Sequence, residues 1–249
     1  MSKDQAIEKA SEFYEASIIA KFEEAKWQDK VEGFNGLKEA IESLKPDKTM
    51  VEATLKFVKA KMKDFKESNI TLMKETANIF LCLAQHCEEI PKRAVACFSP
   101  FLCEKIGDIK MSAVIKDGFM NAAESCTAKY ISIQIVKRGL ETKAPNNIKE
   151  SCNFLAQLIE EFGAGRVAIK ECIDFAVSSS NNANKDIRNC AMALFAVLYK
   201  HLGEKTNQFL DGVKPATMQL IQAEFEKVTP YAKGEFQCKR KVKGEAAEA

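Results

Sequence analysis

The chain has 249 residues, 46% of them hydrophobic and 29% charged, with a formal net charge of +2. That balance belongs to one or two folded domains or one repeat array, and it does not indicate a strongly basic nucleic-acid binder. No apolar run approaches the roughly 20 residues of a membrane span, and Met1-Ser2-Lys3-Asp4-Gln5 lacks the apolar stretch of a secretory signal.

In chain order, apolar spacing at steps of three and four predicts paired helices. The first pair is 12–25 and 28–44, the second helix carrying Val31, Phe34, Leu37, Ile41 and Leu44. The second pair is 48–63 and 70–86, with Ile70, Met73, Ala77, Phe80 and Ala84. The third is 91–106 and 109–126. The fourth is 129–142 and 147–162, with Ile148, Cys152, Leu155, Ile159 and Phe162. The fifth is 166–179 and 185–202, with Ile187, Ala191, Leu194 and Leu198. A last helix over 206–227 closes the series. Strand-like alternation is nearly absent; Ile131, Ile133 and Ile135 alternate inside a helix-length segment.

The punctuation agrees. Pro46, Pro91, Pro100 and Pro145 fall at or near element starts and breaks, where proline is tolerated. Asn147 is placed to cap its helix, with Glu150 reaching back to the cap amide. Gly163 and Gly203 follow helix ends, where a left-handed residue is wanted. A repeat of roughly 40 residues with two helices per unit matches HEAT-type repeats. One amphipathic hairpin cannot bury both of its stripes, whereas stacked hairpins share a continuous core. The expected fold is therefore all-α: an α-solenoid of about six HEAT-type repeats forming a flat paddle over residues 1–228. Residues 229–249 carry the cluster Lys239-Arg-Lys-Val-Lys243 and read as a basic, disordered tail or linker.

The nine cysteines include no CxxC pair, and His86 and His201 are the two histidines. Structural zinc needs clustered ligands at short spacing, so no metal or other cofactor is expected. Cys82, Cys103, Cys126, Cys152, Cys172 and Cys190 lie in apolar helical stretches and read as reduced core residues of a cytosolic protein. No Gly-rich phosphate loop follows a strand, and the carboxylates are spread along charged helix faces. No catalytic residue is assigned.

The turns within the pairs hold the unusual residues. Trp27, the single tryptophan, sits between the first two helices beside Lys26 and Lys30. Comparable turns fall near Asn69, Lys110, Asn147 and Lys185, at spacings of 42, 41, 37 and 38 residues. Each turn holds a lysine, the last adds Arg188, and several add an apolar residue: Ile70, Ile109 or Met111, Ala144 and Pro145. An aromatic anchor with small apolar contacts and cationic donors is an interface composition. Each residue also has a structural reading. Trp27 fits a staple over the first hairpin; Ile70, Ile148 and Ile187 fit first-turn core positions; Arg188 fits a brace on the carbonyls of its own turn.

The segment Phe22-Glu-Glu-Ala-Lys-Trp-Gln-Asp-Lys-Val-Glu-Gly-Phe34 resembles the opening of a TOG (tumour overexpressed gene) domain of the microtubule polymerase family. Glu67-Ser-Asn-Ile-Thr-Leu72, Lys143-Ala-Pro-Asn-Asn-Ile-Lys149 with Glu150, and Asn184-Lys-Asp-Ile-Arg188 extend the resemblance over residues 12–227. It implies a HEAT paddle whose turn edge binds the α/β-tubulin heterodimer. The tryptophan turn would pack on β-tubulin and the later basic turns would reach towards α-tubulin. Carried over by position, the tubulin-binding residues are Trp27, Lys30, Asn69, Ile70, Lys110, Asn147, Lys149, Lys185 and Arg188. The family often has arginine where Lys30 stands, and a third turn richer in lysine than Gly107-Asp-Ile-Lys-Met111. The basic tail would adhere to the acidic microtubule surface.

The implied role is a non-enzymatic tubulin-binding module of a microtubule polymerase or regulator, with tubulin and microtubules as partners and neither nucleic acid nor membrane. The implied location is cytoplasmic and cytoskeletal, at microtubules, spindle poles or centrosomes, or kinetochores. The alternative is a HEAT adaptor for a non-tubulin spindle-pole or kinetochore protein.

Overall fold

The computed structural model describes residues 3–244. Every regular element among them is helical. In order they are α1 (Lys3–Ala10), α2 (Ala16–Lys21), α3 (Trp27–Leu44), α4 (Lys48–Lys61), α5 (Ile70–His86), α6 (Lys92–Lys105), α7 (Ser112–Ala122), α8 (Ala128–Glu141), α9 (Pro145–Phe162), α10 (Ile169–Ser180), α11 (Lys185–Leu202) and α12 (Pro215–Phe225). The pairs α2/α3, α4/α5, α6/α7, α8/α9 and α10/α11 are the HEAT-type hairpins that the periodicity predicts. No helix of the described residues is long and apolar enough to cross a membrane.

The chain groups into two compact units. Of the described residues, one comprises 3–102, 109–126 and 243–244; the other comprises Cys103–Asp108 and Thr127–Val242. The first unit is built on phenylalanines. Phe22 meets Phe34 and Phe57 edge-on at 5.0 and 5.1 Å between centroids. Phe80 of α5 meets Phe98 of α6 and Phe119 of α7. Edge-to-face and offset-stacked rings at such distances add roughly 0.5–1.5 kcal/mol per pair to their burial. In the second unit Phe154, Phe162, Phe175 and Phe195 are fully buried, and Tyr199 stacks on Phe225 at 4.1 Å.

Four boundaries differ from the periodicity. Helix α1 was not expected, because its buried residues Ala6 and Ala10 carry too little side chain to mark a stripe; it packs on α4. Near it, buried Tyr14 bonds Thr54 at 2.5 Å. The predicted 12–25 helix contracts to α2, which stops where Phe22 turns inward to Phe34 and Phe57. Pro100 lies inside α6 rather than at a break. It leaves the Ala96 carbonyl without its i+4 amide, and the Ser99 hydroxyl donates to that oxygen at 3.4 Å. The expected 206–227 helix divides into a 3₁₀ segment, Gly203–Phe209, and α12.

Helix ends follow capping chemistry elsewhere. Asp47 and Thr127 accept from backbone amides of α4 and α8, and Gly163 and Gly203 have φ of 85° and 58°. Five cysteines (Cys82, Cys87, Cys103, Cys152 and Cys172) are buried, and all nine are free thiols. Burial pushes Cys103, Cys152 and Cys172 up to about 12, so these thiols are neutral and poorly nucleophilic.

The expectation of a solvated tail from 229 gives way to a packed segment over 231–243. In the second unit the Tyr231 amide donates to the Lys200 carbonyl at 2.8 Å. Phe236 lies against His201, 4.5 Å between centroids, and occupies the space a Cβ at Gly163 would need. The Cys238 thiol donates to the Phe162 carbonyl at 3.0 Å. In the first unit Lys243 ends α5: its ammonium donates to the carbonyls of Ala84, Gln85 and Cys87 at 3.0, 2.9 and 2.8 Å. A cation on the last carbonyls satisfies orphan acceptors and opposes the negative helix end. Aromatic residues are too sparse here to show a period, and the basic cluster dominates the composition. Residues 245–249 of the predicted tail lie outside the described residues. Lys243→Met should lower stability by roughly 1–3 kcal/mol, read as the urea midpoint by circular dichroism; a midpoint unchanged within error would mean the tail is not held.

Candidate functional site: the helix-hairpin tips

Within each unit the second helices of successive hairpins run in the same direction. Between α3 and α5, Lys38 pairs with Glu75 at 2.8 Å, and further along Glu42 lies near Cys82 and His86. Between α5 and α7, Phe80 meets Phe119, and beyond the helix ends the Ile90 amide donates to the Ser125 carbonyl. Contacts thus advance together along both chains. The N-termini of α3, α5 and α7 therefore share one edge of the first unit, each preceded by a hairpin tip.

On that edge Trp27 is the first residue of α3 and 43% exposed. Its cap position, Lys26, offers no side-chain acceptor, so the leading amides of α3 are open to a partner. Lys30 is half-buried one turn later. Lys21 pairs with Glu32 at 2.5 Å below this tip. The second tip is rigid: Asn69 caps α5, accepting from Thr71 and Leu72 amides at 2.9 and 3.4 Å. The Glu67 carboxylate accepts from the Asn69 and Ser68 amides at 3.0 and 2.8 Å. The Asn69 amide, against some cost of burial, holds Glu67 below the ordinary carboxylate range. Ile70 begins α5 and is half-exposed. At the third tip the alternatives separate: Met111 is fully buried and Ile109 is 97% exposed, beside exposed Lys110.

The second unit repeats the arrangement. Lys149 lies 3.6 Å from Asp186 at the starts of α9 and α11, and Lys200 lies 3.1 Å from Glu160 near their ends, so these helices also run together. Lys185 is exposed at the first position of α11. Arg188 donates to the carbonyls of Asn182 and Ala183 at 2.9 and 2.7 Å, which is the bracing role the sequence allowed.

Asn147 is a correction. Helix α9 starts at Pro145 with Ala144 as cap, so Asn147 is inside the first turn and 7% exposed. Its Oδ1 accepts from the Gly107 amide at 3.0 Å and its Nδ2 donates to the Glu104 carbonyl at 2.8 Å. The side chain joins the end of α6 to the start of α9 instead of facing solvent. Gly107 is required there, because a Cβ would lie 2.7 Å from the Asn146 backbone carbon and 2.5 Å from Asn147 Oδ1.

The sequence model of the XMAP215/Dis1/CLASP family, TOG domain, matches residues 12–225. The chain belongs to this family. Protein MOR1 of Oryza sativa is 26% identical over 231 residues, covering 91% of this chain and 11% of its own length. The chain therefore spans about a tenth of that relative. Among solved structures, Drosophila melanogaster Mini spindles TOG3 superposes with a TM-score of 0.80 at 21% identity, covering 91% of this chain and 99% of that one. A structure described as the structural basis of tubulin recruitment and assembly by microtubule polymerases with TOG domain arrays gives 0.72 at 19%, covering 90% and 48%. These likenesses carry the TOG fold.

Within this TOG fold, Trp27, Lys30, Asn69, Ile70 and Lys110 fall on the tip edge of the first unit, and Lys149, Lys185 and Arg188 on that of the second. The apolar residue at the third tip was legible only as a choice between Ile109 and Met111; burial selects Ile109 for the surface. Asn147→Ala leaves the Gly107 amide and Glu104 carbonyl without this partner, and Gly107→Ala forces the backbones apart. Each should cost roughly 1–3 kcal/mol in chemical unfolding, and the double variant should cost less than the sum because both disturb one contact.

Proposed function

We propose that this TOG domain is a non-catalytic module that binds the α/β-tubulin heterodimer through its hairpin tips, as part of a longer microtubule polymerase or regulator. The observation that supports this most directly is Trp27, a large aromatic at a helix start with 43% of its surface open. Indole anchors of this kind dominate interface energies, commonly by 2 kcal/mol or more on truncation. MOR1 and Mini spindles are relatives, and the solved arrays concern tubulin recruitment by microtubule polymerases. By this reading Trp27 and Lys30 contact β-tubulin, with Asn69, Ile70 and Lys110 beside them, while Lys149 and Lys185 address α-tubulin.

The roles divide by what each side chain already does. Trp27 supplies buried area. Exposed Lys110 and Lys185 steer encounter with an acidic partner. Lys149 lies 3.6 Å from Asp186, which offsets part of its charge. Asn69, Asn147 and Arg188 position the tips through their own backbone bonds. A module touching both tubulin subunits senses the angle between them. Capture of free dimers and release into the lattice then require different affinities for the two tubulin shapes. Several such modules in one chain would raise the local tubulin concentration. The working location is the microtubule and spindle.

Trp27→Glu should abolish co-elution with purified αβ-tubulin in size exclusion while leaving the helical circular dichroism unchanged; undiminished co-elution would reduce Trp27 to a local staple. Lys185→Ala should weaken tubulin binding at low salt and flatten its salt dependence. Arg188→Ala should instead lower the melting temperature, since the carbonyls of the fifth tip lose their donor; a variant with native melting would remove Arg188 from that bracing role.

A further inference from the structure

The far halves of α3 and α5 hold a cluster that the tip edge does not use. Glu42 of α3 and Cys82 and His86 of α5 each bring one ligand atom within 4.8 Å of the other two. Cys82 and His86 are four residues apart on one helix, so they share a face. That spacing lets a single helix offer two ligands to one ion. The third ligand comes from the neighbouring repeat of the same unit, which is why the sequence showed no metal motif. We propose that Glu42, Cys82 and His86 form a three-ligand site for a zinc-class divalent cation, with the fourth position open to water.

The chemistry selects the ion class. Sulfur, imidazole nitrogen and carboxylate oxygen are the zinc donor set, and a thiolate disfavours magnesium or calcium. Thiolate and carboxylate together carry two negative charges, which balance a divalent cation; the displaced thiol proton passes to solvent. Of the positive charges near the site, Lys38 is already paired with Glu75 at 2.8 Å, and the Lys243 ammonium is held by the carbonyls at the end of α5. A tetrahedral zinc site with bonds of about 2.0–2.3 Å needs ligand–ligand separations of roughly 3.3–3.8 Å, so the cluster must close by about an ångström. Cys82 is the fixed point at 6% exposure, while Glu42 and His86 are exposed and free to turn inward. Bound metal would clamp the C-terminal end of α5 to α3 and stabilise the first unit by mass action.

The test uses the full chain under reducing conditions and needs no tubulin, so it is independent of the proposed function. Cobalt(II) titration should give a thiolate-to-cobalt charge-transfer band saturating at one equivalent, and zinc should raise the melting temperature. Cys82→Ser should abolish the band. His86→Gln, a change on an exposed side chain that leaves folding intact, should weaken zinc binding about tenfold or more. Cys126→Ser, outside the cluster, should leave both readouts as in the parent chain. Absence of the band in the parent, or its survival in Cys82→Ser and His86→Gln, would overturn the site.

Discussion

The parallel stacking of second helices within each unit is the constraint on which the rest depends. Because α3, α5 and α7 run the same way, their N-termini meet at one edge, and so do those of α9 and α11 in the other unit. The shared direction is visible in what packs between them. Phe80 is held between Phe98 and Phe119, and Lys38–Glu75 and Lys200–Glu160 bridge neighbouring helices at matched heights. Each short hairpin turns the chain back on itself, so every second helix starts from the same side as the one before. The polarity of the stack is thus a consequence of the hairpin connections, and the common edge is a consequence of the polarity.

That edge is assembled from two kinds of residue. One kind is consumed by local structure: Asn69 caps α5, Arg188 braces its turn, and Asn147 ties two elements together. The other kind is exposed at the tips: Trp27, Ile109, Lys110 and Lys185. The distinction matters because both kinds sit at the same phase of the repeat. Residues already committed to backbone partners make the tips stiff, and stiffness lowers the entropy lost when the remaining side chains bind. A surface of this type recognises by shape as well as by charge.

The cluster of Glu42, Cys82 and His86 lies towards the opposite ends of α3 and α5. Its ligands use neither Trp27 nor the tip lysines, so occupancy would act on the stability of the first unit without altering the chemistry of the edge. The Lys243 ammonium sits on the carbonyls at the end of the same helix. The C-terminal end of α5 is therefore where Lys243, the last helix carbonyls and the candidate metal ligands converge.

Much of this protein was legible in its residues. Apolar stripes at steps of three and four marked most helices, because an amphipathic helix must bury one face. The recurrence of turns near Trp27, Asn69, Lys110, Asn147 and Lys185 marked the repeat, because each hairpin needs a neighbour to complete its core. The segments from Phe22 to Phe34 and from Asn184 to Arg188 carried the family. What composition could not carry was anything decided by contact between distant residues. Helix α1, whose buried residues are Ala6 and Ala10, left no stripe. Met111 and Ile109 looked interchangeable until packing buried one and exposed the other. Asn147 appeared as a cap until Gly107 and Glu104 claimed its amide, and the basic end appeared solvated until Phe236 and Lys243 found partners far back in the chain. Periodicity follows from one helix meeting one apolar surface, and sequence records that; the fate of a single side chain depends on which neighbour arrives, and only the tertiary structure decides it.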